Sequence, residues 1–203
     1  MPRLVGSMVR RLAVGATVAL LLLAAVASSV AAAQITVPKP QGYVTDLAGV
    51  IDGPTKARLT NLIRELKAKT GAEIAVVTVR TTQPESAFDY AMAIAEQWKP
   101  GSAGKDDGIV FLVAVDDREM QILTGYGVEG PLPDGKVGEI RDTLVVPAFK
   151  SGDYARGIAD ATTTMAALIA ADKGVTLSGV APPARLPARR GGGVGLGLIP
   201  VSY

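Results

Sequence analysis

Two pairs of neighbouring aspartates stand out among the residues that could bind a ligand or catalyse a reaction. The segment Gly108 to Gly127, GIVFLVAVDDREMQILTGYG, places Asp116 and Asp117 between two apolar runs. A direct link between two strands favours aspartate, because its side chain bonds nearby backbone and tolerates turn conformations. The same two residues would follow a parallel strand, where open α/β sheets bind ligands. We predict a plain hairpin turn, with a ligand site as the alternative.

The other pair, Asp106 and Asp107, precedes the same predicted strand. A strand over residues 108–115 would span about 25 Å, so the two aspartate pairs cannot share one ion. The hairpin returns the segment Gly125-Tyr126-Gly127 to the end where Asp107 lies. The two glycines permit close approach of a ligand or of another chain segment, because they lack side chains. We therefore predict a binding groove at Gly125, Tyr126 and Gly127.

Further carboxylates follow this loop and predict a cation site. Carboxylates and loop carbonyls that converge at one end of a sheet form the ligand set that Ca²⁺ needs, and Mg²⁺ is the alternative cation. The predicted metal ligands are Asp46, Asp107, Glu129 and Asp134. Two alternatives stay open: the acidic loop can be solvated without an ion, and Asp46, which could join the site at either end of the sheet, can instead be a loop or turn residue.

The chain has no cysteine and no histidine, which excludes several classes of chemistry. Ser-His-Asp and Cys-His triads, phosphohistidine intermediates, and zinc held by histidine or thiolate are ruled out. Carboxylate, hydroxyl, lysine and backbone chemistry remain. No residue can be assigned a catalytic role from the sequence.

Residues 1–33 have the pattern of an export signal. Three arginines precede an uncharged apolar run, and Ala31-Ala32-Ala33 offers a cleavage site before Gln34. An uncleaved membrane anchor is the alternative, because the apolar stretch just reaches the length that crosses a bilayer. We expect an exported protein that is periplasmic, extracellular or membrane-anchored.

The body of the chain, residues 34–174, carries 15 basic and 19 acidic residues. A mildly acidic body argues against nucleic acid as a partner. Residues 175–203 are rich in proline, arginine and glycine and predict a flexible tail. The tail arginines, Arg185, Arg189 and Arg190, favour contact with an anionic membrane surface, and a solvated linker is the alternative.

Alternating helix and strand patterns predict the fold class. The expected elements, in chain order, are a helix after Asp52, a strand over residues 73–79, a helix after Pro84, strands over residues 108–115 and 119–124, and helices after Pro133 and Gly152. The strand-helix-strand crossover makes its two strands parallel neighbours. We predict an α/β fold in which a small mixed sheet has helices on both faces, an α/β/α sandwich.

Four stretches resemble the TPM domain family, which includes thylakoid-lumen acid phosphatases and many bacterial envelope proteins. They are VTDLAGVI, TGAEIAVVTV, DDGIVFLVAVDDREMQILTGYGVEGPLPD and PAFKSGDYARGI, and together they cover about residues 43 to 160. The resemblance implies an α/β sandwich, a calcium site and, in some members, weak acid phosphatase activity. The matching positions are Asp46, Asp107, Gly125, Tyr126, Gly127 and Asp134. Similar proteins often carry asparagine at the position of Asp107, which keeps an oxygen ligand and argues against a catalytic role there.

Two functions follow from the resemblance and the residues together. The first is a calcium-binding module of the bacterial cell envelope that assists a membrane protein or its assembly, at the membrane or on its surface. The alternative is a metal-assisted acid phosphatase acting on a phosphorylated small molecule, in which the cation polarises the phosphoryl group.

Overall fold

Helices and strands alternate through the described chain. The computed structural model describes residues 35–181. The strands are β1 (Val44–Asp46), β2 (Glu73–Val79), β3 (Gly108–Ala114) and β4 (Glu119–Thr124). The α-helices are α1 (Gly53–Thr70), α2 (Ala87–Trp98), α3 (Asp134–Ile140), α4 (Val146–Lys150) and α5 (Tyr154–Asp172). A 3₁₀ turn covers Tyr126–Val128, and a π-helix covers Arg141–Val145.

The four strands form one sheet in the order β1-β2-β3-β4. The first three strands are parallel, and β4 runs antiparallel to β3. The predicted crossover from β2 through α2 to β3 is confirmed, and so is the hairpin of β3 and β4. The sequence patterns did not single out β1, because a strand of three residues is too short to show a period.

Helices cover both faces of the sheet, which confirms the predicted α/β architecture. The larger core cluster contains Leu59 of α1 and Met165 of α5 together with Phe111 of β3. The smaller cluster contains Ile94 of α2 and, from the opposite face of β3, Leu112. Successive strand residues point to opposite faces. Because both faces are buried, β2 and β3 read as nearly continuous apolar runs.

The predicted helix after Asp52 is confirmed in α1. The Asp52 carboxylate accepts the backbone N–H of Thr55 at 2.8 Å, which satisfies a donor in the first turn. Pro54 lies in that turn, where its missing N–H costs nothing. Gly71 ends the helix with φ 86°, a left-handed conformation that glycine adopts without a Cβ clash. The chain then enters β2 directly, so the last turn of α1 lies at the amino end of the sheet.

A π-helix interrupts the stretch after Pro133, where one continuous helix was expected. Pro147 explains the interruption, because proline lacks an N–H and its ring clashes with the carbonyl four residues earlier. The N–H of Val146 bonds to the carbonyl of Arg141, five residues back. The wider π turn keeps the chain helical past the proline. Val145 and Phe149 on either side of it therefore stay in the larger core cluster.

The chain after α5 turns back over α1. Ser178 donates its backbone N–H and its hydroxyl to the carboxylate of Glu65, at 3.0 to 3.1 Å. Leu177 is buried in the larger core cluster. Residues 175–180, predicted as part of the flexible tail, thus form a strap that packs on the folded unit.

The segment before β1 is held on the other side of the sheet. The indole N–H of Trp98 donates to the carbonyl of Pro38 at 3.0 Å. Val37 packs beside it against the smaller core cluster. From Val37 onward, the described chain belongs to one compact unit.

The predicted export signal, residues 1–33, lies outside the described residues, as do Arg185, Arg189 and Arg190. Between residues 35 and 181, no helix is both long enough and apolar enough to cross a membrane.

Candidate functional site

The sheet places the acidic residues of interest at its two opposite ends. Asp46 is the last residue of β1 and pairs with Thr78 near the end of β2, so it lies at the carboxyl end of the parallel strands. Asp107 immediately precedes β3, and its carbonyl accepts the N–H of Glu73 at the start of β2, at 3.2 Å. Asp46 and Asp107, both predicted as metal ligands, therefore lie at opposite ends of the sheet.

The carboxylate of Asp46 accepts four hydrogen bonds from the chain itself. Its Oδ1 accepts the N–H groups of Gly49 and Val50 at 3.0 and 3.1 Å, and its Oδ2 accepts the N–H of Ile51 at 3.0 Å. The hydroxyl of Thr78 donates to Oδ1 as well. These bonds fold the loop after β1 into a tight turn. Asp46 thus has a positioning role, the turn alternative that the sequence had left open.

Asp116 and Asp117 lie in the hairpin between β3 and β4. The Asp117 carboxylate accepts the N–H of Thr82 at 2.7 Å and the hydroxyl of Thr81 at 2.8 Å. Asp116 forms an exposed ion pair with Arg80 at 3.5 Å. The pair therefore ties the hairpin to the loop after β2, and the predicted hairpin turn is confirmed.

At the amino end, the Gly125-Tyr126-Gly127 segment packs directly on the loop before β3. The N–H of Gly127 donates to the carbonyl of Asp106 at 2.9 Å. A Cβ at Gly125 would lie 2.0 Å from that same carbonyl oxygen, and one at Gly127 would lie 2.2 Å from the carbonyl oxygen of Lys105. Only glycine fits at these two positions. Another chain segment makes the close approach, one of the two alternatives for these glycines, and the binding groove stays a prediction. Tyr126 between the glycines is 81% exposed.

Asp107 is the one buried carboxylate at this end among the described residues. It is 7% exposed, and its Oδ1 accepts the N–H of Ser102 at 2.5 Å. A Cβ at Gly101 would lie 2.4 Å from the same oxygen, so the loop folds tightly around it. Asp106 has φ 49°, a left-handed conformation that aspartate tolerates better than most residues.

An ion pair beneath this loop was missed by the sequence analysis. The Nζ of Lys67 lies 2.5 Å from Oε2 of Glu73. The same oxygen accepts the N–H of Gly101 at 3.0 Å, which connects the pair to the loop around Asp107. The hydrogen bond to Glu73 raises the pKa of Lys67 above its ordinary value. The sequence signal for this ion pair is Glu73 itself, an acid at the first position of a largely apolar strand.

A surface depression of about 460 Å³ opens beside Asp107. We call it the amino-end depression. Its lining residues are Thr70, Ala72, Lys105, Asp107, Gly127, Val128 and Lys173. Asp107 and two lysines therefore line the same depression, and the Nζ of Lys173 lies 3.4 Å from the carboxylate of Asp172. Lys173 comes from just beyond α5, and its participation could not be read from the local sequence.

The carboxylates at this end do not by themselves fit a calcium ion. Ca²⁺ takes six to eight oxygen ligands, commonly from several carboxylates. Across residues 35–181, no three acidic side chains lie close enough together to hold a metal. Glu129 and Asp134 are exposed and do not line the amino-end depression. Calcium binding at the four predicted ligands stays a prediction.

Known proteins are similar to this chain in sequence and in fold. A chloroplastic UPF0603 protein of rice (Oryza sativa subsp. indica) is 36% identical over 111 residues, which cover 53% of this chain and 35% of the relative. A UPF0603 protein of Mycobacterium tuberculosis is 29% identical over 112 residues, covering 55% of this chain and 16% of the relative. The chain thus spans about a third of the rice relative's length, and less of the mycobacterial one.

Among solved structures, the N-terminal domain of a P. gingivalis protein superposes with a TM-score of 0.61 at 28% identity, covering 66% of this chain and 85% of that domain. The profile of the TPM domain matches residues 44–168, which is more than half of the chain. The matched range includes β1 to β4 and both ends of the sheet. The chain therefore belongs to the TPM domain family.

Proposed function

We propose that this chain is an exported binding module that takes a phosphate-bearing ligand together with a divalent cation in the amino-end depression. The observation that carries this proposal is the buried carboxylate of Asp107, which shares the depression with Lys105 and Lys173. A lone carboxylate supplies too few oxygens for a cation, and two lysines repel one. Phosphate oxygens remove both difficulties, because Mg²⁺ and similar ions are commonly held by one or two carboxylates plus phosphate.

Each residue has a distinct part in this proposal. Asp107 would hold the cation through the carboxylate oxygen that accepts no N–H from Ser102. Lys105 and Lys173 would neutralise the phosphate as flexible point charges. The bound cation would polarise the phosphoryl group. Gly127 lets this rim of the depression pack directly on the loop before β3, because a Cβ there would lie 2.2 Å from the carbonyl oxygen of Lys105.

Calorimetric titration of the chain from Val37 to Tyr203 tests the proposal. Ca²⁺ and Mg²⁺ are titrated separately, first without phosphate and then with inorganic phosphate in excess. We expect weak or no binding of the cation alone and at least tenfold tighter binding with phosphate present, which is about 1.4 kcal/mol. Tight cation binding that ignores phosphate would contradict the shared site and support an all-carboxylate site instead.

A pair of neighbouring substitutions supplies the matched control. Asp107→Ala removes the buried carboxylate, and we expect phosphate-dependent cation binding to be lost. Asp106→Asn changes an exposed acid one residue away and keeps a residue that tolerates the left-handed backbone, so binding should persist. Circular dichroism establishes that both variants are folded. If the two variants bound the cation equally well in the presence of phosphate, Asp107 would be ruled out as a ligand of the cation.

Acid phosphatase activity is the second candidate, and the same constellation favours it. The carboxylate beside the depression could act on the phosphoryl group of a phosphomonoester, and the two lysines could neutralise its negative charge. The test is hydrolysis of para-nitrophenyl phosphate by the cation-loaded chain, with Asp107→Ala as control. Turnover that Asp107→Ala abolishes establishes the enzyme. Phosphate-dependent binding without turnover leaves the binding module as the function.

The proposed site of action is the cell envelope, beside a membrane protein or the membrane surface. The support is the export pattern of residues 1–33 and the basic residues near the end of the chain. Cell fractionation of the whole chain tests the location. Vesicles with and without anionic lipid test contact with the membrane surface. We expect the chain to bind anionic vesicles, and we expect the joint substitution of Arg185, Arg189 and Arg190 by alanine to abolish this binding.

A further inference from the structure

One edge of the sheet, along β4, has main-chain groups that point away from β3. The N–H of Gly125 bonds to the carbonyl of Gly108 at 2.9 Å, which fixes the phase of the ladder. Bonded and non-bonded pairs alternate between antiparallel strands, so every second residue of β4 faces β3. The residues between them direct their N–H and carbonyl groups outward: Met120, Ile122 and Thr124.

This edge lacks several features that usually block strand pairing, and its register with β3 is continuous, with no bulge. β4 has no lysine and no proline, and its only charged residue is Glu119 at one end. Within residues 35–181, the one group bonded on the outer side is the Gln121 side-chain amide, 3.4 Å from the carbonyl of Ile122. The side chains of Met120 and Ile122 are buried in the core. The edge therefore offers main-chain hydrogen bonds and no apolar patch.

We propose that two copies of this chain pair through β4 in antiparallel orientation, about a two-fold axis at Ile122. Ile122 then pairs with the partner subunit's Ile122, and Met120 pairs with the partner subunit's Thr124. Every outward N–H and carbonyl of β4 gains a partner, and the two sheets join into one of eight strands. The contact is self-complementary, as a two-fold interface requires.

The register also keeps like charges apart. Glu119 comes to lie opposite the partner subunit's Gly125, so the two Glu119 carboxylates are about 20 Å from each other along the strands. On the same face, Gln121 lies opposite the partner subunit's Leu123. No pair of like charges therefore opposes the pairing.

Two exposed side chains gain complementary neighbours in this arrangement. Tyr126 is 81% exposed. Arg118 is exposed too, and its side chain has no ion pair or hydrogen bond to any residue that the structure describes. The register brings the partner subunit's Arg118 to the same end of the shared ladder as Tyr126. A guanidinium and an aromatic ring attract each other, and the two-fold axis produces this pair of side chains twice in the dimer. The inference is independent of the proposed function.

Sedimentation equilibrium of the chain from Val37 to Tyr203 tests the pairing. We expect the mass to rise from monomer to dimer with concentration. A monomer at every concentration up to about 1 mM would overturn the proposal.

Thr124→Pro is the decisive variant. It removes an outward N–H that makes no bond within the sheet, and proline is tolerated at such edge positions. We expect at least about tenfold weaker dimerisation, because the symmetric contact loses two hydrogen bonds. Thr124→Val keeps the N–H and is the matched control. A dimer unaffected by Thr124→Pro would overturn the β4 interface.

Two further measurements keep the test sharp if Thr124→Pro fails to fold. Arg118→Glu changes an exposed side chain and should weaken the dimer several-fold. Residue-resolved hydrogen exchange of the unchanged chain should slow at the amides of Ile122 and Thr124 as concentration rises, while Leu123, bonded to β3, should not change. Exchange at Ile122 and Thr124 that is independent of concentration in a dimer would place the interface elsewhere.

Discussion

The two ends of the sheet use aspartate in opposite ways. At the carboxyl end, the oxygens of Asp46 and Asp117 accept N–H and hydroxyl groups from the loops around them. At the amino end, Asp107 accepts a single N–H, from Ser102, and lies beside two lysines in a depression. The same side chain accepts four hydrogen bonds at one end, whereas at the other only Oδ1 of Asp107 accepts one from the described residues. The donors that surround a carboxylate, and not its residue type, decide which role it has.

Gly125→Ala should break the amino end most severely. A Cβ at this residue would lie 2.0 Å from the carbonyl oxygen of Asp106, so main chain would have to move. We expect the free energy of unfolding to fall by about 3 kcal/mol or more, measured by urea denaturation. Gly138→Ala is the control, because nothing lies within 4 Å of its added Cβ and it is in helix α3. That variant should be unchanged or up to about 1 kcal/mol more stable. Equal stability of the two variants would contradict the packing described.

Asp46→Ala should separate stability from binding. It leaves the N–H groups of Gly49, Val50 and Ile51 without their acceptor, and we expect a loss of about 2–3 kcal/mol in unfolding free energy. Asp46→Asn keeps one acceptor oxygen and should lose less. Both variants should bind ligand at the amino end as the unchanged chain does, measured by calorimetry while they are folded. If a folded Asp46 variant lost ligand binding, the two ends of the sheet would be functionally coupled.

Substitutions of the two hairpin aspartates, Asp116 and Asp117, should lower the stability by different amounts. Asp117→Ala removes the acceptor for Thr81 and Thr82 and should cost about 1–2 kcal/mol in thermal or urea unfolding. Asp116→Ala loses only an exposed ion pair and should cost at most about 0.5 kcal/mol. Replacing Asp116 by asparagine and Asp117 by glycine together should leave ligand binding intact. A large loss of binding would make the hairpin a functional site.

Weakening the strap of residues 175–180 should have the smallest effect on stability. The strap lies at neither end of the sheet that the comparison concerns. The hydrogen bond from Lys69, followed by that from the Ser178 N–H, lowers the pKa of the Glu65 carboxyl. A carboxyl with a lower pKa in the folded chain stabilises it above the unfolded value of about 4.3, and this stabilisation is lost as pH falls through the folded pKa. We expect Glu65→Gln to be slightly less stable than the unchanged chain at pH 7 and equal to it at low pH. A stability difference that is independent of pH would exclude the charge of Glu65 as its cause.

Much of the fold could be predicted from local patterns. The apolar spacing of α1 and the two-sided burial of β2 and β3 produce periodicities that a single sequence displays. The contact of Gly125-Tyr126-Gly127 with the loop before β3 followed from strand geometry, because a hairpin must return its second strand to where the first began. Pro147 also gave a local signal for the interrupted helix, which the sequence analysis did not use.

The details of the site could not be predicted in the same way. One of the four donors to the Asp46 carboxylate is Thr78, 32 residues away, on a neighbouring strand. Lys173 reaches the amino-end depression because α5 packs across the larger core cluster. Both facts depend on tertiary packing, which no periodicity reports. A carboxylate in a loop therefore reads alike in sequence whether it closes a turn or faces a ligand.

The bond between Trp98 and Pro38 gives the protein a built-in fluorophore for the segment before β1. Trp98 is the only tryptophan of the chain, so all indole emission comes from the ring that donates to Pro38. Release of the segment would expose the ring to water and shift its emission to longer wavelength. Fluorescence of the unlabelled protein can therefore follow, in real time, whether the segment that joins the predicted export signal to the domain is seated on α2.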